Sequence, residues 1–151
     1  MEKYILIQEN TFETARKEIK KNKGKKIIFS SSNDELNRKI LEKEKITTLL
    51  LNQSQKKDKQ KQRNSGLNQV LAKLAKENNV IIGINLDEVI ESQSMQKAQI
   101  LSRIRQNIKL CNKQKLKMKF IALKKQNQRD IYDLKSLGLI LGMPTWMTKK
   151  L

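Results

Sequence analysis

The feature that most constrains this sequence is the alternation of short, continuously apolar segments with longer amphipathic ones. The short segments, rich in isoleucine and leucine, lie at 4–7, 26–30, 46–51, 80–84, 119–123 and 139–141. Strands that are apolar on both faces are typical of a parallel sheet covered by crossover helices. The alternation therefore predicts an α/β fold with about six parallel strands.

The intervening segments repeat apolar residues at helical spacing, and several begin with a capping side chain. Thr11 is placed to cap the first helix, and Ser32 or Asn33 the second. A long helix at about 95–113 is predicted to turn five side chains inward: Ala98, Leu101, Ile104, Ile108 and Cys111. With a length of 151 residues, we expect one domain, 1–151, that contains a polar, mobile basic loop at about 53–64.

Positive charge is in large excess and is concentrated late in the chain. The sequence has 33 Lys and Arg against 15 Asp and Glu, a net charge of +18, and residues 92–151 hold 14 basic and two acidic side chains. A domain charged in this way repels itself, and a polyanion would relieve that repulsion. Nucleic acid is therefore the expected partner, although a composition biased toward lysine and asparagine is an alternative explanation.

The absence of histidine excludes Ser-His-Asp triads, Cys-His pairs and histidine-bearing metal sites. Cys111 is the only cysteine, so no disulfide framework exists. No long apolar run occurs, and the N-terminus does not look like a signal peptide. We therefore expect a cytoplasmic protein that does not enter membranes.

Five carboxylates could in principle form a metal or acid–base site: Asp87, Glu88, Glu91, Asp130 and Asp133. Asp130 and Asp133 sit where N-terminal capping of a short predicted helix near 130–136 is expected, and acidic residues are common in first helical turns. Asp87 and Glu88 also precede a possible helical turn. We therefore expect no cofactor bound by the protein.

Two basic segments follow predicted strands directly. Residues 53–66 include Lys56, Lys57, Lys59, Lys61 and Arg63, and residues 124–129 include Lys124, Lys125 and Arg129. Loops at the carboxyl ends of parallel strands lie on the same side of a sheet, where ligands usually bind. The sequence therefore predicts a phosphate-binding face there, with ordinary solvated loops as the alternative.

The long helix carries a second basic feature. Arg105, Lys109 and Lys113 lie four residues apart, so they form a ridge of like charges on one helix face. Such a ridge destabilises an isolated helix, which favours a phosphate-contacting role over a purely structural one.

Residues 63–86 (RNSGLNQVLAKLAKENNVIIGINL) closely resemble the archaeal and eukaryotic ribonuclease P protein family called component three. Supporting similarities are Ser32-Asn33-Asp34 upstream, and Arg129, Asp133-Leu134 and Gly142-Met143 downstream. The resemblance covers roughly residues 26–143.

The resemblance implies a TIM-barrel-like fold and a non-catalytic, RNA-binding subunit of a ribonucleoprotein. That ribonucleoprotein removes the 5′ leader of precursor tRNA, and its RNA is the catalyst and holds Mg²⁺. The implied partners are the ribonuclease P RNA and a second, ferredoxin-like protein subunit. Two alternatives are a structural module that docks proteins and has little RNA affinity, and a stand-alone metal-dependent nuclease.

The sequence also departs from the family. Tyr4–Ile7 looks like the family's third strand, and six strands cannot close the usual eight-stranded barrel. We therefore expect a reduced barrel, closed by a partner chain or a second copy. Asp87-Glu88 stand where the family often has Arg-Pro, and Ile131 replaces a proline. The predicted RNA contacts are Lys59, Lys61, Arg63, Lys97, Arg103, Arg105, Lys109, Lys113, Lys124, Lys125 and Arg129.

Overall fold

Five strands alternate with helices in the computed structural model, which describes residues 3–151. The strands are β1 (Tyr4–Gln8), β2 (Lys26–Ser30), β3 (Thr48–Leu51), β4 (Ile81–Asn85) and β5 (Met118–Ile121). The helices are α1 (Phe12–Lys21), α2 (Asp34–Lys43), α3 (Gln69–Glu77), α4 (Leu86–Glu91), α5 (Ser94–Lys113), α6 (Ile131–Leu141) and α7 (Thr145–Thr148), with a 3₁₀ turn at Lys125–Asn127.

All strands are parallel and lie in chain order, β1-β2-β3-β4-β5. Parallel connections are almost always right-handed, so a sequential order places every crossover helix on one face of the sheet. This is the strand order of a TIM barrel, reduced to five strands. The α/β prediction and the reduced TIM-barrel-like fold are confirmed.

The core lies between that face and the helices. It contains alternate strand residues, among them Ile7, Ile27, Phe29, Leu49, Leu51, Ile82, Ile84 and Met118. Helix residues such as Ala15, Ile40 and Ile104 pack against them. Cys111 is part of this core, as predicted, and burial raises the pKa of its thiol to about 12.

Three of the predicted helix starts are fixed by side-chain caps. Thr11 Oγ1 accepts a hydrogen bond from the Thr14 N–H, and Asn33 Oδ1 accepts from the N–H groups of Glu35 and Leu36. Asp130 Oδ1 accepts from the backbone N–H of the second residue of α6 at 2.7 Å. Each cap satisfies a donor that the first helical turn leaves unpaired, so these predictions are confirmed.

The predicted sixth strand, 139–141, is wrong, because those residues form the last turn of α6. Leu134, Leu137 and Leu141 face the core at helical spacing, whereas Leu139 and Ile140 are 53% and 76% exposed. The apolar run resembled a strand only because apolar residues also occupy the solvent side of the helix. Gly142, at φ = 103°, ends α6 in a left-handed conformation.

Substitution of Gly83 tests how tightly the side chains pack on the face of the sheet that the crossover helices do not cover. A Cβ added there would lie 3.1 Å from Thr48 Cγ2, and 3.2 Å from both Leu50 Cδ1 and Ile121 Cγ1. We expect Gly83→Ala to lower the free energy of unfolding by about 1–2 kcal/mol through overpacking, measured by urea denaturation. Adding Thr48→Ser removes the nearest methyl group and should recover part of the loss in a double-mutant cycle. Strictly additive losses would contradict this account.

Candidate nucleic-acid interface

The long loop after β3, residues 52–68, is fastened at its start by one carboxylate of α4. Glu88 Oε2 accepts from the Gln53 N–H at 2.7 Å, and Glu88 Oε1 accepts from the N–H and the hydroxyl of Ser54 at 3.1 and 2.7 Å. Because a carboxylate accepts several charge-assisted hydrogen bonds, one side chain fixes the direction in which the loop leaves the sheet.

The loop after β5, residues 122–130, is held by the neighbouring carboxylate, which belongs to Asp87. Its Oδ2 accepts from the backbone N–H groups of Leu123 and Lys124 at 2.9 and 3.3 Å. Its Oδ1 accepts from Asn127 Nδ2 at 2.8 Å. The two consecutive acidic residues therefore organise the two basic loops on either side of α4.

Glu91, at the end of α4, adds an ion pair to the same loop. Lys124 Nζ donates to both of its carboxylate oxygens at 2.7 Å, and Asn127 Nδ2 donates to it at 3.0 Å. The hydrogen bond from Lys124 is the main cause that lowers the pKa of Glu91, and the same bond raises the pKa of Lys124. The ammonium group of Lys124 is therefore engaged in an intramolecular ion pair with Glu91.

Arg103 was predicted to contact RNA, but its side chain is only 3% exposed. It donates from Nε to Asp58 Oδ1 at 3.1 Å, and from Nη1 to the Gln53 carbonyl at 2.9 Å. The hydrogen bond from the Asn64 N–H is the main cause that lowers the pKa of Asp58, and the hydrogen bond from Arg103 lowers it further. Arg103 therefore holds the 52–68 loop onto α5 and does not belong to the exposed cationic surface.

The buried face of α5 differs from the predicted stripe. Ile104, Ile108 and Cys111 are buried as expected, but Ala98 is exposed and Leu101 is only half-buried. The buried set instead includes Ile100, Arg103 and Asn107.

Although α5 is the longest helix, none of the helices in residues 3–151 combines the length and apolarity needed to span a membrane.

The middle of the 52–68 loop presents exposed cations beside a cavity of about 640 Å³. Lys59, Arg63 and the unpredicted Arg38 of α2 line this cavity, and Lys61 is exposed nearby in sequence. Gln106 of α5 donates to the Arg63 carbonyl at 3.4 Å. The structure therefore brings the loop that carries the predicted cations into contact with α5.

The ridge on α5 is exposed throughout, since Arg105, Lys109 and Lys113 all face solvent. A 20-residue helix is about 30 Å long, and it runs from the carboxyl end of the sheet to the amino end. Lys97 is half-buried in its first turn, whereas Lys113 lies at its far end. The ridge therefore lies on the second half of α5, between the middle of the helix and the amino end of the sheet.

The loop after β5 keeps two of its three predicted cations outside ion pairs. Lys125 is exposed and belongs to no ion pair among residues 3–151. Arg129 is also exposed, and its Nη1 donates to the carbonyls of Gln126 and Gln128 at 3.1 Å. These contacts orient the guanidinium while its remaining N–H groups stay available.

The carboxyl end as a whole is nearly neutral, which differs from the cationic face expected from the sequence. With the adjoining helical turns, its connections cover 9–15, 31–37, 52–72, 86–97 and 122–134 and contain nine basic and ten acidic side chains. No three Cys, Asp or Glu side chains within residues 3–151 lie close enough together to hold a metal ion. The exposed cations of 59–63 are therefore the best phosphate-binding candidates at this end, and the α5 ridge lies toward the amino end.

Comparison with known proteins places these features in a family. A family model described as RNase P subunit p30 matches residues 33–151. The ribonuclease P protein component 3 sequences of Methanosarcina acetivorans and Methanosarcina mazei are 47% and 45% identical to this chain over 51 residues. Each match spans 34% of the chain but only 21% of the relative's length.

The fold also matches a solved structure. A chain in a cryo-EM structure of archaeal ribonuclease P with mature tRNA superimposes with a TM-score of 0.78 at 24% sequence identity. The match covers 97% of this chain and 62% of the other. At this identity the likeness establishes the reduced TIM-barrel-like architecture.

Arg103 and its neighbour Arg105 provide a matched pair for testing the structural role of the buried guanidinium. We expect Arg103→Gln to lower the free energy of unfolding by about 1.5–3 kcal/mol, because charged hydrogen bonds to the loop are lost. Arg105→Gln on the exposed face should change it by less than about 0.5 kcal/mol. Urea denaturation measures both, and similar values for the two variants would refute the assignment.

The Glu91–Lys124 pair predicts a specific response to pH. Because the folded pKa of Glu91 is lowered, its stabilising contribution is complete above the unfolded pKa and is lost as the pH falls through the folded pKa. Lys124→Gln should raise the pKa of Glu91 toward its ordinary value, whereas Lys125→Gln should not. Titration of the Glu91 side-chain carboxyl carbon by NMR measures this, and an unchanged pKa in Lys124→Gln would show that Asn127 alone sets it.

Proposed function

Because the chain belongs to the RNase P subunit p30 family, we propose that it is a non-catalytic, RNA-binding protein subunit of a ribonuclease P. The observation that carries this proposal is the family match over residues 33–151. The net charge of +18 supports it, since a ribonucleoprotein subunit must offset the charge of the RNA phosphates. We propose a cytoplasmic location for the complex.

In this proposal the protein binds and orients the RNA, and the RNA cleaves the 5′ leader of precursor tRNA. Mg²⁺ is held by the RNA, and the protein binds no cofactor of its own. Three carboxylates that could have served chemistry, those of Asp87, Glu88 and Glu91, accept hydrogen bonds from loop backbone and side chains. Their engagement supports a structural use of the acidic residues.

The proposed contacts follow the exposed cations that lie next to each other in the fold. Arg63 and Lys59 line one cavity, and Gln106, the residue after Arg105 of the α5 ridge, donates to the Arg63 carbonyl, so the loop cations and the helix carrying the ridge can face the same phosphate backbone. The full proposed set is Lys59, Lys61, Arg63, Lys97, Arg105, Lys109, Lys113, Lys125 and Arg129, with Lys124 available when it leaves Glu91. Scarce aromatic residues favour recognition of RNA shape and backbone over base stacking.

Exposed apolar side chains on α6 favour a second role, as a docking surface for another protein. Tyr132 is 74% exposed and Ile140 is 76% exposed, beside the half-exposed Leu139. Among the described strands, β1 and β5 are edges without a partner strand. We propose that the second, ferredoxin-like subunit or another chain covers part of this region. A module that only docks proteins would keep that contact when the α5 ridge is neutralised.

Cleavage of precursor tRNA tests the proposed function. We expect the chain, together with its protein partner, to stimulate cleavage by the ribonuclease P RNA at moderate Mg²⁺. Combined Arg63→Gln, Arg105→Gln and Lys109→Gln should weaken RNA binding and reduce the slope of log K against log salt by about 2–3, because three phosphate contacts are lost.

The control is a variant with an equal charge change on the solvent faces of α1, α2 and α3, Lys17→Gln with Lys39→Gln and Lys73→Gln. It should keep most of the stimulation. No stimulation by the unmodified chain would reject the ribonuclease P role, and cleavage by the chain without any RNA subunit would reject its non-catalytic character.

A further inference from the structure

The amino end of the sheet, opposite the loops described above, is formed by the connections that lead from helices into strands. With the preceding helical turn, these connections cover 18–25, 40–47, 74–80 and 110–117. They contain ten basic and four acidic side chains, whereas the corresponding segments at the carboxyl end contain nine and ten. The connections at the amino end therefore carry a net charge of +6 and those at the carboxyl end a net charge of −1, and Lys113 is the only predicted RNA contact among the amino-end connections.

Two of these connections, α1–β2 and α2–β3, enclose a cavity of about 640 Å³ that we call the amino-end groove. Its rim carries five lysines: Lys20, Lys23, Lys25, Lys43 and Lys45. Glu44 is the only carboxylate among the described residues that line it, and Glu44 Oε1 accepts from Arg16 Nε at 3.0 Å. The groove is therefore strongly cationic.

The backbone beneath the lysines is held by specific hydrogen bonds. The Thr47 N–H donates to the Ile27 carbonyl at 3.0 Å, and Thr47 Oγ1 accepts from the Ile27 N–H at 3.1 Å, which joins the two connections. Gly24, at φ = 88°, allows the tight turn that separates Lys23 from Lys25. The two connections that form the groove are therefore held together by backbone and side-chain hydrogen bonds, and the lysine side chains extend from this supported backbone.

Helix capping accounts for only part of this charge. Lys20 and Lys43 lie in last helical turns, where a cation complements the helix dipole. Lys23, Lys25 and Lys45 lie beyond the helices, and within residues 3–151 none of the three forms an ion pair. Neither helix capping nor an ion pair within the described residues accounts for the charge of these three lysines, which leaves it available to an external anion.

We propose that the amino-end groove binds the phosphate backbone of RNA, as a contact separate from the one in the proposed function. Lysines act as point charges for phosphates, and several of them along one groove suit a repeating polyanion. The floor residues Ile19, Ile27 and Ile46 are 5%, 2% and 7% exposed. These three side chains contribute little accessible surface of their own, and the five lysines of the rim favour a polyanion over an apolar protein segment.

The test compares a groove variant, Lys23→Gln with Lys25→Gln and Lys45→Gln, with the helix-face control variant, Lys17→Gln with Lys39→Gln and Lys73→Gln. All six lysines are exposed, and both variants remove three charges. Binding to an unrelated 20-base-pair RNA duplex and to ribonuclease P RNA is measured by fluorescence anisotropy across a salt series. We expect the groove variant to reduce the slope of log K against log salt by about 2–3 on the duplex, and the control by less than about 1.

Equal slopes for the two variants would overturn the proposal, because net charge alone would then explain the effect. An unchanged slope in the groove variant would also overturn it. This holds even if the groove variant loses binding to polyglutamate, because the groove would then bind polyanions other than RNA. Matching circular dichroism spectra and urea midpoints confirm that both variants are folded. A reduced slope on the duplex, with no stimulation of cleavage by the unmodified chain, would support the groove and reject the proposed function.

Discussion

The parallel sheet orients all the crossover helices in the same direction, and this constraint arranges the charges of the whole molecule. The first turns of the helices lie at the carboxyl end of the sheet, where the helix dipole favours acidic residues. The last turns of the helices lie at the amino end of the sheet, where the dipole favours lysine. The first turns of α1, α2 and α4 indeed carry Glu13, Asp34, Glu35, Asp87 and Glu88, and the last turns of α1, α2, α3 and α5 carry Lys20, Lys21, Lys43, Lys76 and Lys113. The fold thereby separates charges that alternate along the sequence.

The acidic residues at the carboxyl end also explain how cationic loops can have a defined shape. Loops rich in lysine repel themselves, and hydrogen bonds from their backbone to a fixed carboxylate oppose that tendency. Glu88 holds the loop after β3 and Asp87 the loop after β5, although the two residues are adjacent in the chain. Arg103 provides the complementary contact from α5, through Asp58 and the Gln53 carbonyl. The loop lysines that form no ion pair among the described residues are therefore exposed on a backbone that these hydrogen bonds hold in place.

Local signals in the sequence identified five strands and the three side-chain caps at Thr11, Asn33 and Asp130, because each depends on residues within one turn or one strand. The segment 139–141 was misassigned, since three apolar residues in succession do not reveal that two of them face solvent. Arg103 was misassigned because its partners lie 45 and 50 positions away in the chain. The amino-end groove was missed because its lysines belong to two separate connections that only the fold brings together.

Exposed basic residues lie at the amino end of the sheet, along the second half of α5 and in the loop after β3, which argues for an extended ligand. At the amino end, Asn78 Nδ2 donates to the Leu41 carbonyl at 2.8 Å, and Lys76 Nζ donates to the Lys115 carbonyl at 2.9 Å, so neighbouring connections contact each other. From there the α5 ridge leads from Lys113 back to Arg105, and the next residue, Gln106, contacts the loop that contains Arg63. A small anion would neutralise only one part of this path, whereas a folded polyphosphate can follow it and release counterions along its whole length. The distribution of charge therefore matches a structured nucleic acid better than a small ligand.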